Sequence, residues 1–261
     1  MKAKFLAGSL SAILLFAPLV AKAADGVLDQ VKQRGVLRVC EADYPPLNIK
    51  DPMTGNWTGL LVEMADAFGA SQNVKVEHVD STWGTVIQDL KAGRCDLSAV
   101  ATFVTPARAK QALFTDTVIE DSNAAFVATD APYKSYAELD QADKQIAVIS
   151  GSVNEQNAKE TFKAATVRPM ITDRQQTPLL EVASGRADGA FVSVMATKNF
   201  LTANKSIKLR QVDDTKLFVS PIAWMVASGE QKLSKAIDTW LASARADGSV
   251  DALEKKWLRQ P

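Results

Sequence analysis

The sequence contains few of the residues from which metal and nucleophilic sites are built. Its 261 residues include one histidine, His78, and two cysteines, with no cluster of the two types, so no zinc site is expected. It has no GxSxG motif and no pairing of histidine with carboxylate at catalytic spacing. Basic and acidic residues number 30 each, and no basic patch is present that would bind nucleic acid. The sequence therefore predicts no metal, cofactor or nucleic-acid partner.

Long apolar runs are also scarce, and the single one lies at the start of the chain. Lys2 and Lys4 precede an apolar stretch at 5–20, which Ala21-Lys22-Ala23 follows as an A-x-A cleavage motif. This pattern predicts a signal peptide at residues 1–23, cleavage after Ala23 and export to the periplasm. An uncleaved membrane anchor is the alternative, but about 16 apolar residues are marginal for a span and no stop-transfer charges follow.

Removal of that segment changes the charge and sets the size of the folded chain. Three lysines and no acid are lost, so the net charge falls from 0 to −3, which is mildly acidic. About 238 residues remain, a length sufficient for two lobes.

The two cysteines, Cys40 and Cys95, would lie in a compartment that permits disulfides. Cys40 is late in the first predicted strand and Cys95 just precedes the third. If those strands are parallel neighbours, the two residues are offset along the sheet, so both the bonded and the free state stay open.

Strand-length apolar runs alternate with helical patterns through the first part of the chain. Helices are predicted at 25–35, 62–68 and 85–92, and strands at 36–40, 74–79 and 96–101. A turn-rich segment with Pro45-Pro46 follows the first strand. This alternation is typical of a mainly parallel sheet covered by helices on both faces.

A second series of strands and helices begins with its own apolar strand at 124–129. Strands are then predicted at 145–150, 167–172, 189–193 and 218–227, and helices at 135–139, 155–162, 179–183, 231–245 and 250–257. A chain that enters a second lobe and returns crosses between lobes twice, which makes a hinge over a cleft. We therefore predict one lobe from 24–117 and 218–261, another from 124–211, and hinge crossings at 118–123 and 212–217.

The chain is organised around residues 99–116, where a buried strand leads through a turn into a helix. Thr105 suits the N-cap position and Pro106 the first helical position. Arg108 then falls in the first turn, where the helix dipole is positive and a cation is disfavoured. An arginine beside free N–H groups is explained if an anion binds there, whereas a solvated surface arginine is the alternative.

Other candidate residues follow the predicted strands. Ligands of such sheets bind beyond the carboxyl ends of the strands. Glu41, Tyr44 and Thr102 lie at these ends, and Trp83 leads from the second strand into its helix.

Five stretches together resemble the bacterial extracellular solute-binding proteins of family 3, the polar-amino-acid receptors of ABC importers. The resemblance covers residues 35–258 in order, and the stretches are YPPLNIKDPMTGNWTGLLVEMADAF, ATFVTPARAKQALFTDTV, IAVISGSVNEQNAKE, SGRADGAFVS and DTWLASARADGSVDALEKKWL. It implies the two-lobed α/β fold of type II periplasmic binding proteins, with a ligand cleft between the lobes.

The resemblance also implies roles for individual residues. Arg108 falls on the arginine that binds the ligand's α-carboxylate. Tyr44 and Trp83 fall on aromatic positions that sandwich the ligand, and Glu41 on a position that faces its polar end. Ser152 lies in the glycine turn that closes over the carboxylate from the second lobe.

Two positions depart from the family pattern. Phe103 stands where the family usually has a hydroxyl residue, five positions before the arginine. Ser193 stands where an aspartate usually binds the α-ammonium, and a neutral hydroxyl is a weaker partner for a cation. Two alternatives follow. Either Glu41, Glu120 or Asp121 replaces that aspartate, or the ligand is a carboxylate without an ammonium.

The resemblance implies a monomeric periplasmic protein that binds a small carboxylate-bearing ligand and delivers it to a membrane ABC permease. One alternative is a dehydratase-like enzyme on the same fold, which requires a positioned general acid. Residues 193–196 offer no carboxylate for that role. Another alternative is a ligand-sensing partner of a membrane receptor.

Overall fold

The computed structural model describes residues 26–172, 174–212 and 218–258. The predicted signal peptide at 1–23 lies outside these residues, as does most of the predicted crossing at 212–217. Within the described ranges, no helix combines the length and apolar character needed to cross a bilayer.

The first half of the chain folds largely as its sequence pattern predicts. Its elements are α1 (Val27–Arg34), β1 (Val36–Glu41), β2 (Ile49–Lys50), β3 (Trp57–Thr58), α2 (Leu60–Ser71), β4 (Lys75–Asp80), α3 (Val86–Lys91), β5 (Leu97–Phe103) and α4 (Pro106–Ala109). The small β2–β3 hairpin was not predicted, since its strands are two residues long and lie in a turn-rich segment.

The second half continues the alternation. Its elements are β6 (Ala112–Ala128), α5 (Tyr136–Leu139), β7 (Gln145–Ile149), α6 (Val153–Thr161), β8 (Thr166–Met170), α7 (Thr177–Ala183), β9 (Gly189–Ser193), α8 (Val194–Ala203), β10 (Leu209–Gln211), β11 (Phe218–Ala227), α9 (Gln231–Ala246) and α10 (Ser249–Leu258). Helix α8 and strand β10 were not predicted. Helix α8 follows β9 with no intervening loop, and its N-cap, Ser193, is also the last residue of the strand.

The helix predicted to open at Thr105-Pro106 is a single turn, and the strand predicted at 124–129 is part of a much longer one. Strand β6 has 17 residues and begins at Ala112. Its first part is rich in β-branched and aromatic residues, which favour a strand, and pairs with β11 along its length. The long strand therefore carries the chain from the first half into the second.

One twisted sheet runs through the molecule in the order β4-β1-β5-β11-β6-β9-β7-β8, with β10 also paired to β6. Strand β1 is parallel to β4 and β5, and β7 is parallel to β8 and β9. The central pair β6 and β11 is antiparallel. The outer strands on each side are thus parallel, as predicted, whereas the central strands β6 and β11 are antiparallel to each strand with which they pair.

Each half has its own apolar core on both faces of the sheet. In the first half, neighbours such as Val39 and Cys40 belong to different clusters because successive strand residues point to opposite faces. In the second half, Ala125 and Phe126 divide in the same way. The largest fully buried side chains include Trp224, in the cluster that contains Val39, and Phe191, in the cluster that contains Ala125. Two separate cores make two lobes.

Cys40 and Cys95 form a disulfide, with 5.6 Å between their Cα atoms. The predicted offset along the sheet does not separate them beyond disulfide reach. Cys95 precedes the extended part of β5, and Asp96 N donates to Arg38 O of the neighbouring strand at 2.8 Å. The chain therefore brings Cys95 beside β1 before β5 begins, within the normal disulfide range of about 4.4–6.8 Å.

Candidate ligand-binding site between the lobes

A cavity of about 250 Å³ lies between the two lobes. Five of the eight predicted site residues line it, namely Tyr44, Trp83, Phe103, Arg108 and Ser152. Residues 149–154, Thr172 and Gln175 line it from the second lobe. Its volume is just below the usual range of ligand pockets, roughly 300–1,000 Å³, so it suits a small molecule.

Arg108 is the cation of this cavity. Thr105 caps helix α4 by accepting a bond from Arg108 N at 3.3 Å, and Pro106 occupies the first helical position, as predicted. The Arg108 guanidinium donates from Nη1 to Phe103 O at 3.1 Å and forms no ion pair with any described residue. Burial lowers the pKa of Arg108. A half-buried cation without a carboxylate partner can bind an anionic group of a ligand.

Aromatic side chains form the wall beside Arg108. Tyr44 and Trp83 meet edge to face with ring centroids 5.9 Å apart. Trp83 Nε1 donates to Ala101 O at 3.1 Å, which fixes the indole against the end of β5. Phe103 is 6 % exposed and completes the wall. These rings can pack against a flat or apolar ligand body.

The start of helix α6 faces the cavity from the second lobe. Gly151 has φ +72°, a conformation that favours glycine, and it turns the chain from β7 into α6. Ser152 Oγ accepts from Glu155 N at 3.2 Å and donates to Ile149 O at 2.6 Å, so its hydroxyl caps the helix. The N–H groups of the first helical turn have no intrahelical acceptors. Together with the helix dipole they favour an anion at this end, where the Glu155 carboxylate accepts from Gly151 N at 2.7 Å.

Two amide side chains that the sequence did not single out also line the cavity. Asn154 is 3 % exposed, and its Oδ1 has no hydrogen-bond partner. Gln175 has a buried Oε1 that is likewise unpaired. Asn154 follows the glycine turn by two residues, which is a usable sequence signal. Gln175 lies in a segment between β8 and α7 that carries no such signal.

Thr102 does not line the cavity, although it was predicted to do so. Its neighbours Ala101 and Phe103 do, and successive residues of a strand point to opposite faces of a sheet. Thr102 is 2 % exposed and belongs to the other face of β5.

Glu41 is also absent from the cavity lining. It is fully buried in the first lobe, where Asn48 Nδ2 donates to Glu41 Oε2 at 2.5 Å. His78 Nδ1 contacts Glu41 Oε1 at 2.9 Å, and His78 Nε2 contacts Asp66 Oδ1 at 3.2 Å. Burial raises the pKa of Glu41. For His78, burial opposes protonation, but the bonds to Asp66 and Glu41 outweigh it and raise the pKa to about 9.

Ser193 lies behind the cavity, at the junction of β9 and α8. Its Oγ donates to Asp121 Oδ2 at 2.5 Å and accepts from Ala196 N at 2.9 Å. Tyr44 O–H donates to the same Asp121 oxygen at 2.8 Å. Burial raises the pKa of Asp121, while the bonds from Ser193 and Tyr44 oppose that change. The carboxylate therefore joins the first lobe, strand β6 and the second lobe.

Comparison with known proteins agrees with this architecture. The chain is 32% identical to the amino-acid-binding protein AabA of Dichelobacter nodosus over 208 residues, which cover 80% of each chain. It is 26% identical to the putative ABC transporter arginine-binding protein 2 of Escherichia coli, over 84% of this chain and 89% of the relative.

Among solved structures, the ancestral amino acid-binding protein AncCDT-1, a precursor of cyclohexadienyl dehydratase, superposes with a TM-score of 0.81 at 30% identity. The superposition covers 90% of this chain and all of the ancestral protein's chain. The family model of the bacterial extracellular solute-binding proteins, family 3, matches residues 37–260. The fold is that of a type II periplasmic binding protein, and the chain belongs to the bacterial extracellular solute-binding proteins, family 3.

Proposed function

We propose that this protein captures a small ligand with a carboxylate group, an amino acid or a close relative of one, and delivers it to an ABC importer. One observation carries the proposal: an arginine of one lobe, without a described acidic partner, and a helix N-terminus of the other lobe line the same cavity. Two groups that favour an anion, held on opposite lobes, suit a carboxylate bound between them.

The ligand's carboxylate binds between Arg108 and the first turn of α6. Arg108 supplies the charge, and the N–H groups beyond Ser152 supply donors directed along the helix axis. Tyr44 and Trp83 pack against the body of the ligand. All of these groups come from one chain, so a monomer holds a complete site.

We infer that binding closes the lobes, with one lobe at 24–117 and 218–261 and the other at 124–211. Residues 118–123 are one proposed crossing, and the other, at 212–217, lies largely outside the described residues. The ligand gains contacts with both lobes only when the cleft is closed, and this difference in affinity shifts the population toward the closed state. Small-angle scattering should show a smaller radius of gyration at saturation. An unchanged radius with a confirmed ligand would refute the closure.

The binding function is tested by titrating the chain from Ala24 onward with amino acids and small carboxylates. A ligand at a hundred times its Kd should raise the free energy of unfolding by about 2.7 kcal/mol, which a thermal-shift assay detects. The matched control is the amine that lacks only the carboxylate, which should give no shift. Equal shifts from an acid and its decarboxylated amine would contradict carboxylate recognition.

Delivery and export need separate measurements. Uptake of the identified ligand by cells should require this chain, whereas ligand-dependent signalling with normal uptake would favour the sensing role. The N-terminus of the exported protein should be Ala24, as determined by mass spectrometry, if cleavage follows Ala23.

A dehydratase is the second candidate, because AncCDT-1 is described as a precursor of cyclohexadienyl dehydratase. Such a reaction needs a general acid within reach of the substrate. The described lining residues include no aspartate, glutamate or histidine. We therefore infer a binding protein without enzymatic activity. Turnover of a cyclohexadienyl substrate by the purified chain would contradict this inference.

A further inference from the structure

Few charged groups line the cavity among the described residues. Among the described lining residues, Arg108 is the one charged side chain, and no carboxylate is present. The remaining lining side chains are aromatic, aliphatic or uncharged polar groups. Once Arg108 has bound one carboxylate, the described lining offers no partner for another charge of either sign.

Glu155, which follows Asn154 in sequence, accepts from Gly151 N at 2.7 Å. Three acidic residues near Tyr44, in sequence or by contact, are also occupied elsewhere. Asp43 accepts from Lys50 N at 3.2 Å, and Glu41 bonds to His78 and Asn48 inside the first lobe. Asp121 accepts from Tyr44 and Ser193 behind the cavity. None of the three lines the cavity. A cation at the far end of a ligand would meet none of these carboxylates.

Uncharged hydrogen-bonding groups are available instead. Asn154 and Gln175 both line the cavity from the second lobe, and each has a buried amide oxygen with no partner. A buried polar atom without a partner is costly, so a side-chain rotation that presents this oxygen to a ligand N–H or O–H group gains a hydrogen bond. A side-chain amide presents one acceptor and two donors, which suits a carboxamide, ureido or hydroxyl group.

We propose that the ligand is a monocarboxylate whose other end is uncharged and hydrogen-bonding, and that Asn154 and Gln175 recognise that end. This inference rests on the proposed function, since Arg108 must hold the carboxylate. The α-ammonium is common to all amino-acid probes, so the proposal concerns the far end of the ligand alone. A guanidinium, ammonium or carboxylate at the far end is not compatible with the proposal, because burying an unpaired ion is costly.

Calorimetric titration of the chain from Ala24 onward tests the proposal with pairs of similar shape. The probes are citrulline against arginine, and glutamine against lysine and glutamate. They are measured beside the other common amino acids and short hydroxy acids. The tightest-binding compound should have an uncharged far end. It should bind at least about ten-fold more tightly than its charged counterpart.

The possible outcomes separate the two proposals. If arginine, lysine or glutamate binds most tightly, the inference about the far end is overturned and carboxylate binding stands. If no carboxylate binds while an uncharged or cationic compound does, or if no compound binds, the proposed function fails and the inference fails with it.

A charge placed at the recognised end provides a second test. Asn154→Asp adds a carboxylate to the lining and should lower the ratio of the Kd for arginine to the Kd for citrulline by about ten-fold or more. Gln156→Glu adds the same charge on the exposed side of α6 and should leave the ratio within about two-fold. Gln175→Glu repeats the test on another segment, should Asn154→Asp reduce folding. An unchanged ratio in every folded cavity variant would refute recognition by these amides.

Discussion

Replacement of Asp121 should weaken the junction between the lobes. Its carboxylate is 5 % exposed and accepts hydrogen bonds from Tyr44 on the first lobe and Ser193 on the second. It also accepts from Ser122 N at 2.7 Å and from Met195 N at 3.4 Å. One buried group therefore accepts hydrogen bonds from four donors on three segments of the chain. Asp121→Asn keeps the shape of the side chain but removes the charge and one acceptor oxygen.

The magnitude follows from these contacts. A hydrogen bond to a charged group contributes about 1.5–3 kcal/mol, and Tyr44 and Ser193 each donate one to the same oxygen. The loss is offset in part because the buried charge, whose desolvation raises the pKa of Asp121, is also removed. We expect Asp121→Asn to lower the free energy of unfolding by about 1–3 kcal/mol. It should also weaken ligand binding, because Tyr44 loses the group that positions its ring.

Urea unfolding followed by tryptophan fluorescence measures the effect. Glu120→Gln is the matched control, since Glu120 is the exposed neighbour on the same strand and surface substitutions change stability by about 0.5 kcal/mol or less. The free energy of unfolding of Asp121→Asn is compared with that of the parent chain. If the two differ by no more than about 0.5 kcal/mol, the size of change expected for the control, this carboxylate does not stabilise the junction.

Two further predictions concern stability. Replacing both Cys40 and Cys95 with alanine should lower the free energy of unfolding by about 2–4 kcal/mol, because the bond closes a loop with a sequence separation of 55; an unchanged urea midpoint would contradict this. His78 has a pKa of about 9, above its ordinary 6.5, so its stabilisation is complete below about pH 6.5 and is lost as the pH rises through 9. The free energy of unfolding should therefore fall by about 1–2 kcal/mol over this pH range, after allowance for solvent screening, and His78→Gln should remove that fall. If the variant shows the same pH dependence of unfolding as the parent chain, His78 is not the group responsible.

Much of the fold was predictable because it depends on short-range patterns. Buried strands such as β5 consist mostly of apolar residues, and Thr105-Pro106 marks a helix start by local hydrogen bonding. The length of β6 was not predictable in this way. Its pairing with β11 joins segments about a hundred residues apart, and such tertiary pairing overrides local propensity.

The site was predictable where chemistry is tied to a motif. Arg108 and Ser152 lie at helix starts, and both line the cavity. Glu41 and Thr102 were placed at the correct ends of strands, but the side of the sheet that each faces depends on register and partners. Glu41 turns toward His78 on β4, a contact that no local pattern indicates.

The central claim is that Arg108 binds the ligand's carboxylate, and isothermal titration of Arg108→Ala tests it most directly. Removing one partner of a buried, hydrogen-bonded charge pair costs about 2–5 kcal/mol, so the Kd of the identified ligand should rise roughly thirty-fold or more. Unfolding stability should hardly change, because the Arg108 guanidinium donates one hydrogen bond and forms no ion pair with a described residue. Lys110→Ala, an exposed cation two residues later, should bind like the parent chain. If the Kd of Arg108→Ala stays within roughly three-fold of the parent value, the free-energy change is well below 1.4 kcal/mol and the account is contradicted.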